Sequence, residues 1–335
     1  MKNTDFALHC HDVSDSVMNK MGRKKKVLIL AGGTATAWHL SNVITDEFKD
    51  NIVLCVADIN KPQHVPASSL CDCFFQVPRI SDQSYYVYML NLLRKEKIDI
   101  LIPLIDSDLL LFSMDNDDLE KLNVISTAPK KQVMNIFIDK LKACSFLQKH
   151  GIVVPKVYKN KKEIKNDEFY FQKPKMGFGS QGAIKVKGAD SMFSNKTLIQ
   201  EVLRGPEVTV EIFKSKNILK TVCRERIEIK SGVCTKARFF YDANLNEIIR
   251  SISSIVDLPI ASCIQFMKNG DDDWCLMDCN LRLGAGTALS SKAGFKLTVA
   301  FLRELLGLSG QEKYLPEVSS DTIVLRVYSE ILMSK

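Results

Sequence analysis

Three short segments combine residue types that can handle a phosphorylated ligand. The first, Gln172-Lys173-Pro174-Lys175-Met176-Gly177-Phe178-Gly179-Ser180-Gln181-Gly182, sets a lysine before closely spaced glycines. Glycines let backbone N–H groups converge on an anion, and Lys173 adds a positive charge beside them. It is not a P-loop, because no Gly-Lys-Ser/Thr opens a helix after it. A plain glycine-rich hairpin turn is the alternative. The second, Leu198-Ile199-Gln200-Glu201-Val202-Leu203-Arg204-Gly205-Pro206-Glu207, reads as two strands joined by a linker with a carboxylate at each end. Hinge backbone can read an adenine edge and carboxylates suit ribose hydroxyls, although exposed glutamates are usually just solvated. The third is Met277-Asp278-Cys279-Asn280-Leu281-Arg282. Asp278 and Asn280 alternate along a strand and so share a face, and Gln265 on the partner strand can join them. Hard oxygen donors next to a triphosphate suit Mg²⁺, and Arg282 is spaced to meet a transferring phosphoryl group or an anionic intermediate. A row of polar residues capping a hairpin is the alternative there.

The elements that would hold these segments change character along the chain. Lys26-Val27-Leu28-Ile29-Leu30-Ala31, Ile52-Val53-Leu54-Cys55-Val56 and Ile98-Asp99-Ile100-Leu101-Ile102-Pro103 are short apolar runs. They alternate with helical stretches at 36–48 and 85–97, which predicts a parallel sheet covered on both faces. Ligands of such sheets sit at the carboxyl ends of the strands, here Ala31 to Thr34, Asp58 and Pro103 to Asp106. A further helix is expected over 139–151, ended by Gly151 and Pro155. Beyond about residue 156, short strands at 170–173, 183–186, 197–202, 208–214 and 218–230 follow one another through glycine turns, which favours an antiparallel sheet. A helix is expected near 245–256 and a hairpin at 264–277 around Asn269-Gly270.

The 335 residues carry 46 Lys+Arg against 39 Asp+Glu, a net charge of +7 that is scattered apart from Arg23-Lys24-Lys25-Lys26. Nucleic-acid binding needs a concentrated basic stripe, so no nucleic-acid partner is expected. No run approaches the roughly 20 apolar residues that span a bilayer, and residues 1–21 lack the apolar centre of a signal peptide. No pair of the ten cysteines has C-x-x-C spacing, so free thiols, a reduced compartment and a cytoplasmic location are expected. His9-Cys10-His11 has metal-binding residue types, but an isolated trio in a leader reads as incidental.

Taken in order and with these separations, the three segments resemble the ATP-grasp superfamily, most closely the branch like the carbamoyl phosphate synthetase large chain. The resemblance spans about residues 26–308. It also rests on Asp139-Lys140 before Gly151-Ile152-Val153-Val154-Pro155, on the Gln-Glu-x-Leu…Gly-x-Glu hinge, and on Thr287-Ala288-Leu289-Ser290-Ser291-Lys292-Ala293-Gly294-Phe295. It implies an α/β and α+β architecture. A leader at 1–23 precedes a Rossmann-like pre-ATP-grasp domain at 24–128. One ATP-grasp subdomain with the glycine loop follows at 129–204, and another with the metal site at 205–335.

The resemblance also implies roles. Lys140 and Lys173 would contact the nucleotide, and Gly177, Gly179, Ser180, Gln181 and Gly182 would belong to a loop closing over the triphosphate. Val202 and Leu203 would offer hinge backbone to adenine, with Glu201 and Glu207 near adenine or ribose. Gln265, Asp278 and Asn280 match metal-ligand positions for Mg²⁺, with Mn²⁺ as a substitute, and Arg282 matches the catalytic arginine. Lys236 is a further candidate to reach a phosphate, and Arg224 and Arg226 to face a carboxylate; each is equally read as a surface charge. Asp278 stands where the family usually has Glu, and Leu281 where Pro is common. Asp can still bridge ions about 3.5 to 4 Å apart, so activity with a shifted metal position is expected. The implied function is an ADP-forming ligase that joins a small-molecule carboxylate to an amine through an acyl phosphate. Dimerisation is an expectation of the resemblance alone. Two alternatives stand beside this: a relative that binds nucleotide without turnover, and a nicotinamide oxidoreductase suggested by Gly32-Gly33 and Asp58. The latter lacks a full G-x-G-x-x-G.

Overall fold

The computed structural model describes residues 23–177, 182–318 and 321–333. The His9-Cys10-His11 trio and Gly179, Ser180 and Gln181 of the glycine segment lie outside the described residues. The first sheet holds β1 (Lys25–Ile29), β2 (Ile52–Asp58), β3 (Cys73–Gln76), β4 (Ile100–Ile102) and β5 (Ile125–Ser126), all parallel, in the order β3-β2-β1-β4-β5. Its apolar runs are continuous because each face has its own core. Val27, Ile29, Leu54, Val56, Ile100 and Ile102 pack on one side, while Leu28, Leu30, Cys55, Ala57 and Leu101 pack on the other. Alternate residues point to opposite faces, so a strand buried on both must be apolar throughout. The helix Ala35–Glu47 starts where Thr34 Oγ1 accepts from the Ala37 N–H, and it turns Ala37, Leu40 and Ile44 inward.

A four-stranded antiparallel sheet follows, from β6 (Val157–Tyr158), β7 (Phe169–Pro174), β8 (Ile184–Lys187) and β9 (Thr197–Gln200), in the order β6-β9-β7-β8. The larger antiparallel sheet is β14-β13-β10-β11-β12-β15, built from β10 (Arg204–Lys214), β11 (Leu219–Lys230), β12 (Val233–Phe240), β13 (Ala261–Lys268), β14 (Trp274–Asn280) and β15 (Thr322–Leu325). Its two faces differ by the parity of the strands. Val208, Val210, Ile212, Ile264, Phe266 and Leu276 belong to a core shared with the helix Ala243–Ile255. The opposite face carries Glu207, Thr209 and Glu211, then becomes apolar at Phe213. Phe213 shares a core with Val27, Ile29 and Phe239, which seats the first domain on this end of the large sheet.

The β-branched residues of Ala243–Ile255 do not prevent a helix, because Leu245, Ile249 and Ile252 bury one face and Asp242 caps the start by accepting from the Leu245 N–H. Tertiary burial outweighs the modest propensity cost. Strands β12 and β15 were not expected from the sequence. Among the described residues no helix is long and apolar enough to cross a membrane, and nine cysteines are free thiols.

Candidate active site

A cavity of about 320 Å³ opens between the two antiparallel sheets. From the smaller sheet, Phe171, Lys173 and Pro174 of β7 line it, joined by Gly177 and by Lys140. Lys140 is the first residue of the helix Lys140–Lys149, whose start is fixed by Asp139 Oδ1 accepting from the N–H groups of Leu141 and Lys142. Lys140 Nζ donates to the Gly177 carbonyl at 2.7 Å, tying the helix start to the glycine segment. The linker between β9 and β10 contributes Glu201, Val202 and Leu203, and β10 contributes Glu207. Glu201 is anchored through Oε1, which accepts the Lys156 N–H at 2.8 Å.

The larger sheet supplies Gln265 and Met267 from β13 and Met277 and Asp278 from β14. Gln265 and Asp278 are directly paired across the two strands, and a register shift follows between Gln265 and Phe266. The shift leaves Met277 as the extra residue of the bulge, and its carbonyl accepts from Lys173 Nζ at 3.3 Å. A bulge re-aims backbone groups next to sites, and here it lets one sheet reach the other.

Lys173 is only 8% exposed, and burial pushes its pKa down while the neighbouring Asp278 carboxylate opposes that shift. A buried cation with one long hydrogen bond is poorly compensated, which favours anions entering beside it. The thiols nearby do not offer nucleophiles: burial pushes Cys275 up to about 12 and raises Cys144 and Cys279 as well. The thiolate, which would be the reactive form, is disfavoured in all three.

Asn280 and Arg282 line an adjoining cavity of about 160 Å³ that shares Gln265 and Asp278. Arg282 is held on three sides: Nε donates to Asp106 Oδ1 at 3.2 Å, Nη1 to the Leu283 carbonyl at 3.3 Å, and Nη2 to Asn280 Oδ1 at 3.1 Å. Asp106 opens the helix Asp106–Leu111 just beyond the carboxyl end of β4, so the parallel sheet reaches the site through the segment that follows one of its strands. Gln265, Asp278 and Asn280 form a donor set of one carboxylate and two amides, hard oxygens all. Magnesium is commonly held by one or two carboxylates with substrate phosphates completing its shell, so the set fits that ion when a nucleotide is present. Among the described residues no cluster of three His, Cys, Asp or Glu could hold a metal unaided.

One site expectation needs correction. Lys236 lines neither cavity; it projects from β12 into solvent and pairs with Glu228 Oε2 at 2.6 Å. Thr235, Ala237 and Phe239 are buried in strict alternation, so Lys236 falls on the opposite, exposed parity. Glu207 lines the larger cavity as expected and is ion-paired there with Arg226 Nη1. The nicotinamide alternative is not supported. Asp58, 7% exposed, turns inward to accept the Gly33 N–H at 2.7 Å and the Asn60 N–H and Nδ2 at 2.9 Å. A Cβ on Gly33 would meet that carboxylate at 3.2 Å, so the acid braces a tight turn.

Sequence reasoning missed the apolar walls, Phe171, Met267 and Met277. Residues two apart from Lys173 and Gln265 carried that signal, since i and i+2 share a face. It also underread Arg224, which is 4% exposed and no surface charge.

Residues 27–127 match the family described as "PylC-like, N-terminal domain", and residues 137–286 match "ATP-grasp domain". No curated protein matches the sequence. Among solved structures, N5-carboxyaminoimidazole synthetase from Staphylococcus aureus superposes with a TM-score of 0.65 at 15% identity, over 90% of this chain and 81% of that one. L-amino acid ligase from Bacillus licheniformis gives 0.66 at 13% identity, over 89% and 78%. Biotin carboxylase from Campylobacter jejuni gives 0.67 at 18% identity, over 88% and 74%. At these identities the likeness is one of fold. The order of sheets and the paired cavities agree with the two matched families: the chain carries an ATP-grasp domain over residues 137–286 behind a PylC-like N-terminal domain over residues 27–127.

Proposed function

We propose that the protein is an ADP-forming ligase that uses ATP to activate a small-molecule carboxylate and passes the acyl group to an amine. One observation carries this reading most: Lys140 at a helix start and Lys173 on the smaller sheet line the same cavity as Gln265 and Asp278 of the larger sheet. The mixed lining suits a nucleotide, with Phe171, Met267 and Met277 for a base and the lysines and Gly177 for phosphates. The Val202–Leu203 linker would offer backbone groups to the adenine edge. Asp278, with Gln265 and Asn280, would hold Mg²⁺, which when bound neutralises phosphate charge. The narrower carbamoyl phosphate synthetase-like placement belongs to this proposal too.

In the reaction, a carboxylate oxygen attacks the γ-phosphorus and the bond to the β–γ bridging oxygen breaks, releasing ADP. The amine nitrogen then attacks the acyl carbon, phosphate departs with the electron pair, and the nitrogen loses a proton. The protein's part is positioning and charge compensation. Lys173 holds phosphate oxygens, and Arg282, clamped by Asp106 and Asn280, meets charge on the transferring group. Magnesium-dependent ADP release, screened with carboxylates crossed with amines and read by mass spectrometry, tests the proposal. It expects ADP release that depends on an acid, and a condensed product with one amine. Nucleotide binding with no acid-dependent turnover across the screen would favour a non-catalytic relative.

A further inference from the structure

The smaller cavity contains two buried polar groups without partners, and they stand side by side. Arg224, Thr209, Gln265 and Asp278 form one straight row across β11, β10, β13 and β14, each paired with the next. Directly opposite residues of antiparallel strands share a face. At about 4.8 Å per strand the row is roughly 14 Å long. Among the described residues, Arg224 Nη1 and Thr209 Oγ1 are buried with no hydrogen-bond partner, and both residues line this cavity.

Arg224 is held there deliberately. Its Nε donates to Glu211 Oε1 at 3.0 Å, and the other oxygen of Glu211 accepts from Ser290 Oγ at 2.5 Å. Gly286 makes room for the guanidinium, since a Cβ there would lie 2.1 Å from Nη2. A guanidinium offers five N–H donors, so the pairing with Glu211 leaves most of its fork free. Leaving buried donors unmet costs stability, and such a cost persists in a structure when a ligand meets it.

We propose that this cavity is the carboxylate subsite for a small bifunctional acid: Arg224 and Thr209 anchor one carboxylate, and the other end extends over Gln265 towards Asp278 and Arg282. The subsite rests on the ligase reading above and names the substrate class for it. The volume of about 160 Å³ is about five waters at ~30 Å³ each, which admits an acid of amino-acid size. The reactive end is either a second carboxylate, as in succinate and glutarate, or an amine, as in glycine and β-alanine.

Isothermal titration of the full chain with each of these four acids, with and without magnesium and a non-hydrolysable ATP analogue, distinguishes the two. Thr209→Val removes the unpartnered hydroxyl at constant shape, and Arg224→Lys keeps the charge beside Glu211 but loses the fork. The expected result is binding of at least one acid to the wild type, weakened roughly tenfold to a hundredfold in both variants, with affinity for the ATP analogue unchanged. Which pair of acids binds then assigns the reactive end. Equal acid affinity in wild type and both variants overturns the subsite, as does the absence of binding by all four acids. If the acids bind as expected but the ATP analogue does not, the subsite stands and the ligase reading falls.

Discussion

Acidification should reveal two buried groups whose titrations nearly cancel. His39, on the helix Ala35–Glu47, meets Ser291 Oγ through Nε2 at 3.3 Å, across the junction between the first domain and the ATP-grasp domain. Burial, then the charges of Arg326 and Lys292, hold its pKa down to about 4 from an ordinary 6.5. Asp108 is 3% exposed; burial pushes its carboxyl up to about 6 from 3.8, against the hydrogen bond donated by Tyr85. Between pH 6.5 and 4 the unfolded chain protonates His39 and the folded chain does not, so acid destabilises. Between pH 6 and 3.8 the folded chain protonates Asp108 and the unfolded chain does not, so acid stabilises. Going from about pH 7.5 to 4.5, the histidine removes about 2.5 kcal/mol and the aspartate returns about 2 kcal/mol. His39→Gln should therefore gain about 2.5 kcal/mol relative to wild type over that interval, and Asp108→Asn should lose about 2 kcal/mol. Urea unfolding of the three proteins at both pH values measures this. The variant-minus-wild-type difference cancels every other titration. Differences that do not change with pH for either variant would refute the opposed-titration argument.

Lys173→Ala and Asp278→Ala should each reduce acid-stimulated ADP release at least about a hundredfold, with far-UV circular dichroism unchanged. Lys173→Met should also leave the ligand-free protein as stable as wild type or more so by thermal unfolding, because it removes a buried, poorly compensated cation. Asp106→Ala unclamps Arg282 and should lower the kcat of ADP release about tenfold while the KM for ATP moves little. Gly286→Ala forces a methyl into the Arg224 guanidinium and should cost about 1–3 kcal/mol in the urea midpoint.

The fold was largely legible because its signals are local. In Val27-Leu28-Ile29-Leu30, unbroken apolarity announced a strand buried on both faces, and Asp139 before Lys140 announced a helix start that delivers a lysine. The hairpin of β13 and β14 was legible from Asn269-Gly270 and the apolar runs around it, although the tip also uses Asn269 Oδ1 to hold the Asp271 and Asp273 N–H groups. What the sequence hid was register. Whether Arg224 faces solvent or the site depends on which residue of β10 it opposes, and the pairing with Thr209 is set by the whole hairpin. Strand β12 was missed for a different reason. Lys236 and Arg238 interrupt its apolarity, and only the buried Thr235, Ala237 and Phe239 mark the period of two.

Register also explains why the first domain matters to chemistry at a distance from its own sheet. Along β10 the site face runs Glu207, Thr209, Glu211 and then Phe213, so the same surface is polar where ligands would lie and apolar where the first domain docks. Docking at Phe213 and Phe239 is what brings the segment just beyond β4 to Arg282, and Asp106 is the residue delivered. In a parallel sheet the carboxyl ends of the strands are where ligands are met. Residues at or just beyond two of those ends have different fates here: Asp58 is spent on the Gly33 turn, and Asp106 is spent on Arg282. The parallel sheet thus keeps the ligand-facing edge of its fold class but uses it to aim an arginine of the neighbouring domain. A dinucleotide at that edge would compete with both contacts, whereas a small acid in the adjoining cavity would leave both intact.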